Sequence, residues 1–273
     1  MIVVTGATGN VGAELVGALV AAGEPVRAVV RDPRMANLPE GAQPVAGDLT
    51  DPGSLAEAFA GARAAFVLPG YPGVVAAAQD SGVRQIVLLS GSSAGTGNDH
   101  NAITRYMAAS EAEVTGSGSS WTILRPSAFM SNALRWVPQL REGDTVRAQF
   151  PTVATASIDP ADLAAVAAAV LRTDAHHGEI LWPTGPQALR PADQIEILGR
   201  VLGRDLRCVP MSNDETRTEL LATTPPEYVE AFFDFYVAGA IDESIVRSTV
   251  QDLTGAAPRT FDRWARDHMS AFG

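Results

Sequence analysis

Apolar positions along the chain follow two alternating rhythms. Short runs rich in β-branched and aliphatic residues fall at Ile2 to Thr5, Val26 to Val30, Gln43 to Ala46, Ala64 to Leu68, Gln85 to Leu89 and Trp121 to Leu124. Runs of this kind, without polar alternation, read as strands covered on both faces. Between them the spacing turns helical: Val11, Leu15, Ala18, Leu19 and Ala22 recur on one face of a helix that Gly23 closes. Further helices are predicted over Pro52 to Ala60, with Asp51 as cap, over Val74 to Asp80, and from about Asn101 to Val114. A last one follows Ile158-Asp159-Pro160. Strands that alternate with helices predict an α/β fold, a doubly wound parallel sheet with helices on both faces. The expected division is a core of residues 1–126, to which about 153–185 returns, and a smaller, mostly helical substrate-binding region of 127–152 and 186–273.

Three glycines interrupt the first strand-to-helix passage. In Thr5-Gly6-Ala7-Thr8-Gly9-Asn10-Val11-Gly12, Gly6 permits a tight turn, Gly9 lets backbone approach a pyrophosphate, and Gly12 allows close helix packing. The free N–H groups of the helix start, around Thr8, Asn10 and Val11, then face the phosphates. Strand, glycines, helix and second strand come in the order of a Rossmann dinucleotide fold. Arg31-Asp32 ends the second strand, where such folds read the adenosine ribose. Arg31 would pair with a 2′-phosphate and favour NADP(H); Asp32 could instead accept from the ribose of NAD.

Composition narrows the partners. The 273 residues suffice for one sizeable core, and 46% hydrophobic content excludes disorder. A net charge of -11, with no local basic cluster, argues against nucleic acid. The single cysteine, Cys208, the absence of a basic leader before the first strand, and the lack of any membrane-length apolar run lead to the expectation of a cytoplasmic protein. No metal site is expected, since the histidines lack ligand spacing and His176-His177-Gly178 reads as a helix end. The oligomeric state is left open.

The loop after the fifth strand holds a false lead. Gly91-Ser92-Ser93-Ala94-Gly95 matches the nucleophile elbow of serine hydrolases, and Asp159 with His176 or His177 could be forced into the right order. Such an elbow starts a helix at once, whereas Thr96-Gly97-Asn98-Asp99 continues a loop.

The glycine spacing resembles that of extended and atypical short-chain dehydrogenases. Their catalytic Tyr-x-x-x-Lys would lie on the 101–114 helix, yet Ser110 stands four residues after Tyr106, and alignment on Glu111 puts Ile103 and Met107 at the two positions. No lysine occurs between Gly61 and Arg125. Together with Trp121 to Asn132, Ile158 to Leu163, Pro183-Thr184-Gly185-Pro186, Val201 to Arg204 and Leu253 to Trp264, this absence is similar to the NmrA-like group. The resemblance covers nearly the whole chain. It implies NADP(H) as cofactor, NAD being possible, and a role for Asp48 in accepting from the adenine amino group while Leu49 covers the ring. That group holds quinone and azo-type reductases as well as sensors that bind the dinucleotide without turnover.

Leu68, Pro69, Ser90 and Pro126, at the ends of the fourth, fifth and sixth strands, complete the candidate cofactor contacts. Tyr106 and Ser90 are the candidate catalytic groups, although without a lysine Tyr106 has no evident reason to be acidic. Phe129, Met130, Tyr71 and Tyr106 are the candidate contacts to a small-molecule substrate. Trp136, Phe150 and Phe232 to Tyr236 are candidates to close an apolar cavity, with a helix core face as the second reading of Phe232 to Tyr236. Two functions remain: an NAD(P)H-dependent reductase of quinone-like or aromatic acceptors, or a dinucleotide-sensing regulator acting through a protein partner.

Overall fold

A computed structural model describes every residue from Met1 to Gly273. Its strands are β1 (Ile2–Val4), β2 (Val26–Val30), β3 (Ala42–Ala46), β4 (Ala64–Val67), β5 (Gln85–Leu89), β6 (Ser120–Leu124), β7 (Thr145–Ala148), β8 (Glu179–Leu181) and β9 (Arg207–Pro210). The helices are α1 (Asn10–Ala21), α2 (Ala56–Phe59), α3 (Val74–Asp80), α4 (Ala102–Gly116), α5 (Val137–Glu142), α6 (Pro160–Leu171), α7 (Pro191–Leu202), α8 (Asn213–Leu221), α9 (Pro226–Tyr236), α10 (Thr249–Thr254) and α11 (Phe261–Asp267). None is long and apolar enough to cross a membrane.

Seven strands form one sheet in the order β3-β2-β1-β4-β5-β6-β8, and each neighbouring pair is parallel. This is the Rossmann-type α/β architecture that the strand and helix rhythm predicts. The chain winds outward from β1 in one direction and from β4 in the other, which opens a crevice where their carboxyl ends part. On one face Leu15, Val16 and Leu19 of α1 pack with Leu163, Val166 and Val170 of α6. Leu55, Phe59, Val74, Ala78 and Val114 cover the other. Full burial of such a side chain stabilises by about 1.5–3 kcal/mol, so two covered faces fix the strands whose central residues are wholly buried.

A second apolar cluster, with Trp136, Leu140, Val146, Ile195, Leu198, Phe261 and Trp264, packs around the separate parallel pair β7–β9. Asp162 on α6 ties down the segment that leads into α11, since its carboxylate accepts from the Arg259 backbone N–H at 2.6 Å and from Arg259 Nη1 at 2.5 Å.

Two stretches depart from expectation: His176-His177-Gly178 is a turn before β8 and not a helix end, since α6 already stops at Leu171, and the helix expected over 52–60 is broken. Residues 52–60 split into a 3-10 turn, Pro52–Leu55, and the short α2, and the Asp51 side chain caps nothing. Its backbone carbonyl accepts instead from Ser54 N–H at 2.9 Å and from Ser54 Oγ at 2.7 Å. Gly53 behind Pro52 is a weak helix propagator, which suits a tight turn better than a regular first helical turn.

Candidate functional site

The β1–α1 turn is built around positions where no side chain fits. Gly6 sits at φ 61, and a Cβ there would come within 2.5 Å of Leu68 Cδ1. A Cβ at Gly12 would collide with the Gly6 carbonyl oxygen, so the close approach is to the turn rather than to strand β1. Gly9 precedes α1 and offers no side-chain cap. The amides of Asn10, Val11 and Gly12 have no backbone acceptor, the first closed bond being Ala13 N–H to Gly9 C=O at 2.9 Å. An uncapped helix start with a glycine approach is a cradle for an anion, and Thr8, Gly9 and Asn10 are exposed there. Val11 contributes its amide alone, because its side chain is buried in the core. Asn10 Nδ2 also donates to Ser131 Oγ at 3.2 Å, which bridges the turn to the segment after β6. These features fit a dinucleotide pyrophosphate.

At the carboxyl end of β2 the two ribose candidates separate. Asp32 is held by Arg34, which donates from Nε at 3.1 Å and Nη2 at 3.0 Å. That pair pulls the Asp32 carboxyl below its ordinary range. Arg31 is exposed and makes neither an ion pair nor a hydrogen bond, so its guanidinium is the free one. Asp48 Oδ1 accepts from Thr50 N–H at 2.9 Å and Thr50 Oγ1 at 2.7 Å, which lowers its carboxyl pKa and leaves Oδ2 open. Leu49 packs partly on the core beside it.

Farther along the crevice, the Ser90 side chain lies 3% exposed and donates to Glu111 Oε1 at 2.6 Å. Arg125 grips the same carboxylate with Nε at 2.8 Å and Nη2 at 2.6 Å. Its guanidinium lies 5.0 Å from the Trp182 ring centroid. The Ser90 hydroxyl thus donates into a buried ion pair, while the residue also lines the pocket that opens beside it. Buried Pro126 anchors the neighbouring loop by accepting from Ser92 N–H at 3.0 Å. Leu68 rests against Gly6, and Pro69 opens the adjoining cleft.

An acceptor-sized pocket of about 280 Å³ opens beside these residues. Ile103, Met107, Phe129, Phe232 and Phe235 give it an apolar wall; Ser92, Tyr236 and Glu243 give it a polar edge. The two positions that carry Tyr and Lys in short-chain reductases, when aligned on Glu111, therefore face this pocket as Ile103 and Met107. The chain contains no lysine anywhere. Glu243 accepts from Ser92 Oγ at 2.8 Å and from Tyr236 OH at 3.0 Å. Burial raises the Glu243 carboxyl pKa and places the Tyr236 phenol well above its usual value. Nothing in the local pattern of 237–248 marks Glu243 beforehand.

Tyr106 does not line that pocket. It borders an adjoining cleft of about 550 Å³ with Pro69, Gly70, Tyr71, Tyr228 and Phe232. Burial raises its phenol pKa, and Tyr228, edge-on at 6.4 Å, adds to the effect. Asn101 holds this wall in place. Its Oδ1 caps α4 through Ile103 and Thr104 N–H, while Nδ2 donates to Ala231 C=O at 3.1 Å and Asp234 at 3.0 Å on α9.

Two expected pocket residues belong to the core instead. Met130 and Trp136 are 3% and 1% exposed and join the second apolar cluster. Met130 begins a 3-10 segment, Met130–Trp136, that turns it inward while Phe129 stays at the pocket. The 232–236 aromatics divide between the two readings. Phe232, Phe235 and Tyr236 reach the pocket, and Phe233 packs edge-on to Phe150 at 5.4 Å.

The hydrolase reading has no triad behind it. Asp159 caps α6 through Ala161 N–H at 2.8 Å, and His176 Nδ1 pairs with Glu179 at 2.9 Å. No group of three or more His, Cys, Asp or Glu side chains is placed to hold a metal ion.

Residues 6–174 match the family described as NAD(P)H-binding. A (4-alkanoyl-5-oxo-2,5-dihydrofuran-3-yl)methyl phosphate reductase of Streptomyces griseus is 40% identical over 100% of this chain and 99% of its own. An NAD(P)H azoreductase of Xenophilus azovorans is 32% identical over 100% and 99%. Among solved structures, an NADPH-dependent quinone oxidoreductase from Escherichia coli superimposes with TM-score 0.80 at 22% identity, covering 100% of both chains. The Citrobacter sp. triphenylmethane reductase complexed with NADP(H) gives TM-score 0.80 at 22% identity over 99% and 100%. Both likenesses show the fold.

Proposed function

Because the chain belongs to the NAD(P)H-binding family, in its NmrA-like branch of the short-chain reductases, we propose that it reduces a small, conjugated acceptor at the expense of NADPH. The observation that carries this is the pocket beside Ser92 and Phe129, whose wall presents Ile103 and Met107 where a conventional carbonyl reductase needs its acid and its cation. Bound reduced dinucleotide supplies the hydride. The chain's own part is to hold the cofactor through the Gly6–Gly12 turn and Arg31, and to stack a flat acceptor against Phe129, Phe232 and Met107. The apolar wall of the pocket lowers the polarity around the reacting face.

A conjugated acceptor spreads the charge it gains over a ring or an extended carbonyl, so its protonation needs no strong protein acid. The substrates named for the relatives, an azo compound and an unsaturated furanone, share that property and support the reading. An acceptor pocket continuous with the cofactor crevice favours turnover over sensing alone. A cytoplasmic setting, and substrate binding by 127–152 and 186–273, belong to the same proposal. The test is NADPH oxidation with a panel of quinones, azo dyes and unsaturated lactones. Tight NADPH binding without oxidation by any of them would overturn it.

Two substitutions examine the details. Arg31→Ala should weaken NADPH by about tenfold to a hundredfold, the scale of one charge-assisted bond of about 1.5–3 kcal/mol, while NADH changes little. Equal losses in titrations of both cofactors would remove Arg31 from the 2′-phosphate. Tyr106→Phe should lower turnover by about tenfold or less, since its phenol is a poorer acid than usual and stands outside the acceptor pocket. A positioned acid contributes about a hundredfold or more. A loss of that size in steady-state rates would make Tyr106 the proton donor.

A further inference from the structure

Beyond the acceptor pocket lies a second, more polar cavity of about 60 Å³, which shares Ala128, Phe129, Asn132 and Tyr236 with it. Its volume suits one small group rather than a second ring. We infer that this cavity is an anion subsite, in which Arg135, Asn132 and Gln194 hold a phosphate or carboxylate carried by the acceptor. The inference rests on the reductase reading for the position of the acceptor's conjugated part.

Arg135 stands on the Met130–Trp136 turn and makes no ion pair and no hydrogen bond, although most arginines of this chain are ion-paired. Its guanidinium keeps only the Trp136 ring, at 5.3 Å from the centroid. The side-chain amides of Asn132 and Gln194 also have no partner in the protein, and Gln194 is only 9% exposed. Gln194 is nearly buried, whereas Asn132 and Arg135 are exposed and open to the cavity. Burial around its charged end still pushes the Arg135 guanidinium pKa down, and a cation so placed with no carboxylate on it, beside two unpaired amides, points to a ligand that supplies the missing acceptors. All three can donate hydrogen bonds, and only a negatively charged group satisfies the guanidinium as well.

The carboxylates nearby are otherwise engaged. Glu219 accepts from Gln149 Nε2 at 2.9 Å and lies 3.7 Å from Arg147 Nη1. Glu243, beyond Tyr236, is bonded to Ser92 and Tyr236. Phe150 closes the cavity in a left-handed backbone conformation, φ 46, which is rare for a residue with a side chain. Ring contacts to Phe233 at 5.4 Å and Tyr236 at 5.1 Å hold it there, so this part of the cavity wall is fixed by packing. In a chain of net charge -11, an anionic substrate is repelled at long range and needs such a local cation to dwell.

Three acceptors with one conjugated head test this: a phosphate monoester, a carboxylate, and the neutral alcohol. The wild-type protein should prefer the phosphate over the alcohol by tenfold or more in kcat/KM, with the carboxylate between, and the preference should shrink as salt is raised. Arg135→Ala should erase that preference and leave the alcohol within about twofold; Gln194→Leu should erase part of it. Protein saturated with NADP+, whose own phosphate site is then filled, should bind phenyl phosphate by calorimetry, about tenfold to a hundredfold more weakly in Arg135→Ala. Equal loss on all three acceptors, or no preference in the wild type, would overturn the subsite while the reductase reading stands. Binding of phenyl phosphate through Arg135 without reduction of any acceptor would leave the subsite and remove the reductase.

Discussion

Valine at position 9 is expected to abolish dinucleotide binding in a protein that still folds. Gly9 has φ -85 and ψ 173, open to any L residue, and is exposed. A Cβ there meets only the Gly6 carbonyl, at 3.3 Å, which asks for a shift of a few tenths of an ångström. The valine methyls would instead occupy the space over the unpaired amides of Asn10, Val11 and Gly12. Losing two charge-assisted bonds of about 1.5–3 kcal/mol each raises Kd by roughly a hundredfold or more. Calorimetry of Gly9→Val with NADPH, beside a melting curve without cofactor, measures both halves. Undiminished binding would move the cofactor away from this turn.

Glu111→Ala should cost the most stability among the site residues. The carboxylate takes two bonds from Arg125 and one from Ser90, with side-chain exposures of 13% for Arg125 and 9% for Glu111. Removing one partner of so enclosed a pair strands the other charge, at about 3–5 kcal/mol. For 273 residues that lowers Tm by roughly 5–9 °C. Glu111→Gln, which can still accept from Ser90 but no longer pairs as a charge, should lie between. A drop under about 1 °C in Glu111→Ala would mean that Arg125 finds compensation on Trp182 alone.

The fold was readable because its signals are local. Gly6 needs a positive φ in any chain that turns so sharply from strand to helix, and Val26 to Val30 is an uninterrupted apolar run whichever strands flank it. The proposed cofactor half of the site inherits that legibility, since Gly6, Gly9, Gly12 and Arg31 lie within one strand-helix-strand unit. The acceptor half does not. Phe129 and Met130 are adjacent and equally apolar, and only the 3-10 turn that begins at Met130 decides which one faces the pocket. Ser90 looks like a free hydroxyl until α4 brings Glu111 against it. Glu243 and Tyr236 acquire their partner Ser92 and their burial from packing between distant segments. Arg135 stands out only because no carboxylate reaches it, which is a property of three-dimensional neighbours and not of its own stretch of sequence.

The pairing of β7 with β9 carries a consequence for how the chain is made. Thr145 lies beside Arg207 in that ladder, 62 residues later in the chain, and β8 joins the main sheet in between. At a synthesis rate of about 5–20 residues per second, β7 leaves the ribosome roughly 3–12 s before its partner. Through that interval Trp136, Leu140 and Val146, all buried in the finished protein, lack the α11 surface that covers them, and α7 emerges only towards its end. The nascent chain therefore passes through a state with a completed cofactor turn and an open, sticky flank, the stretch at which a chaperone would engage it.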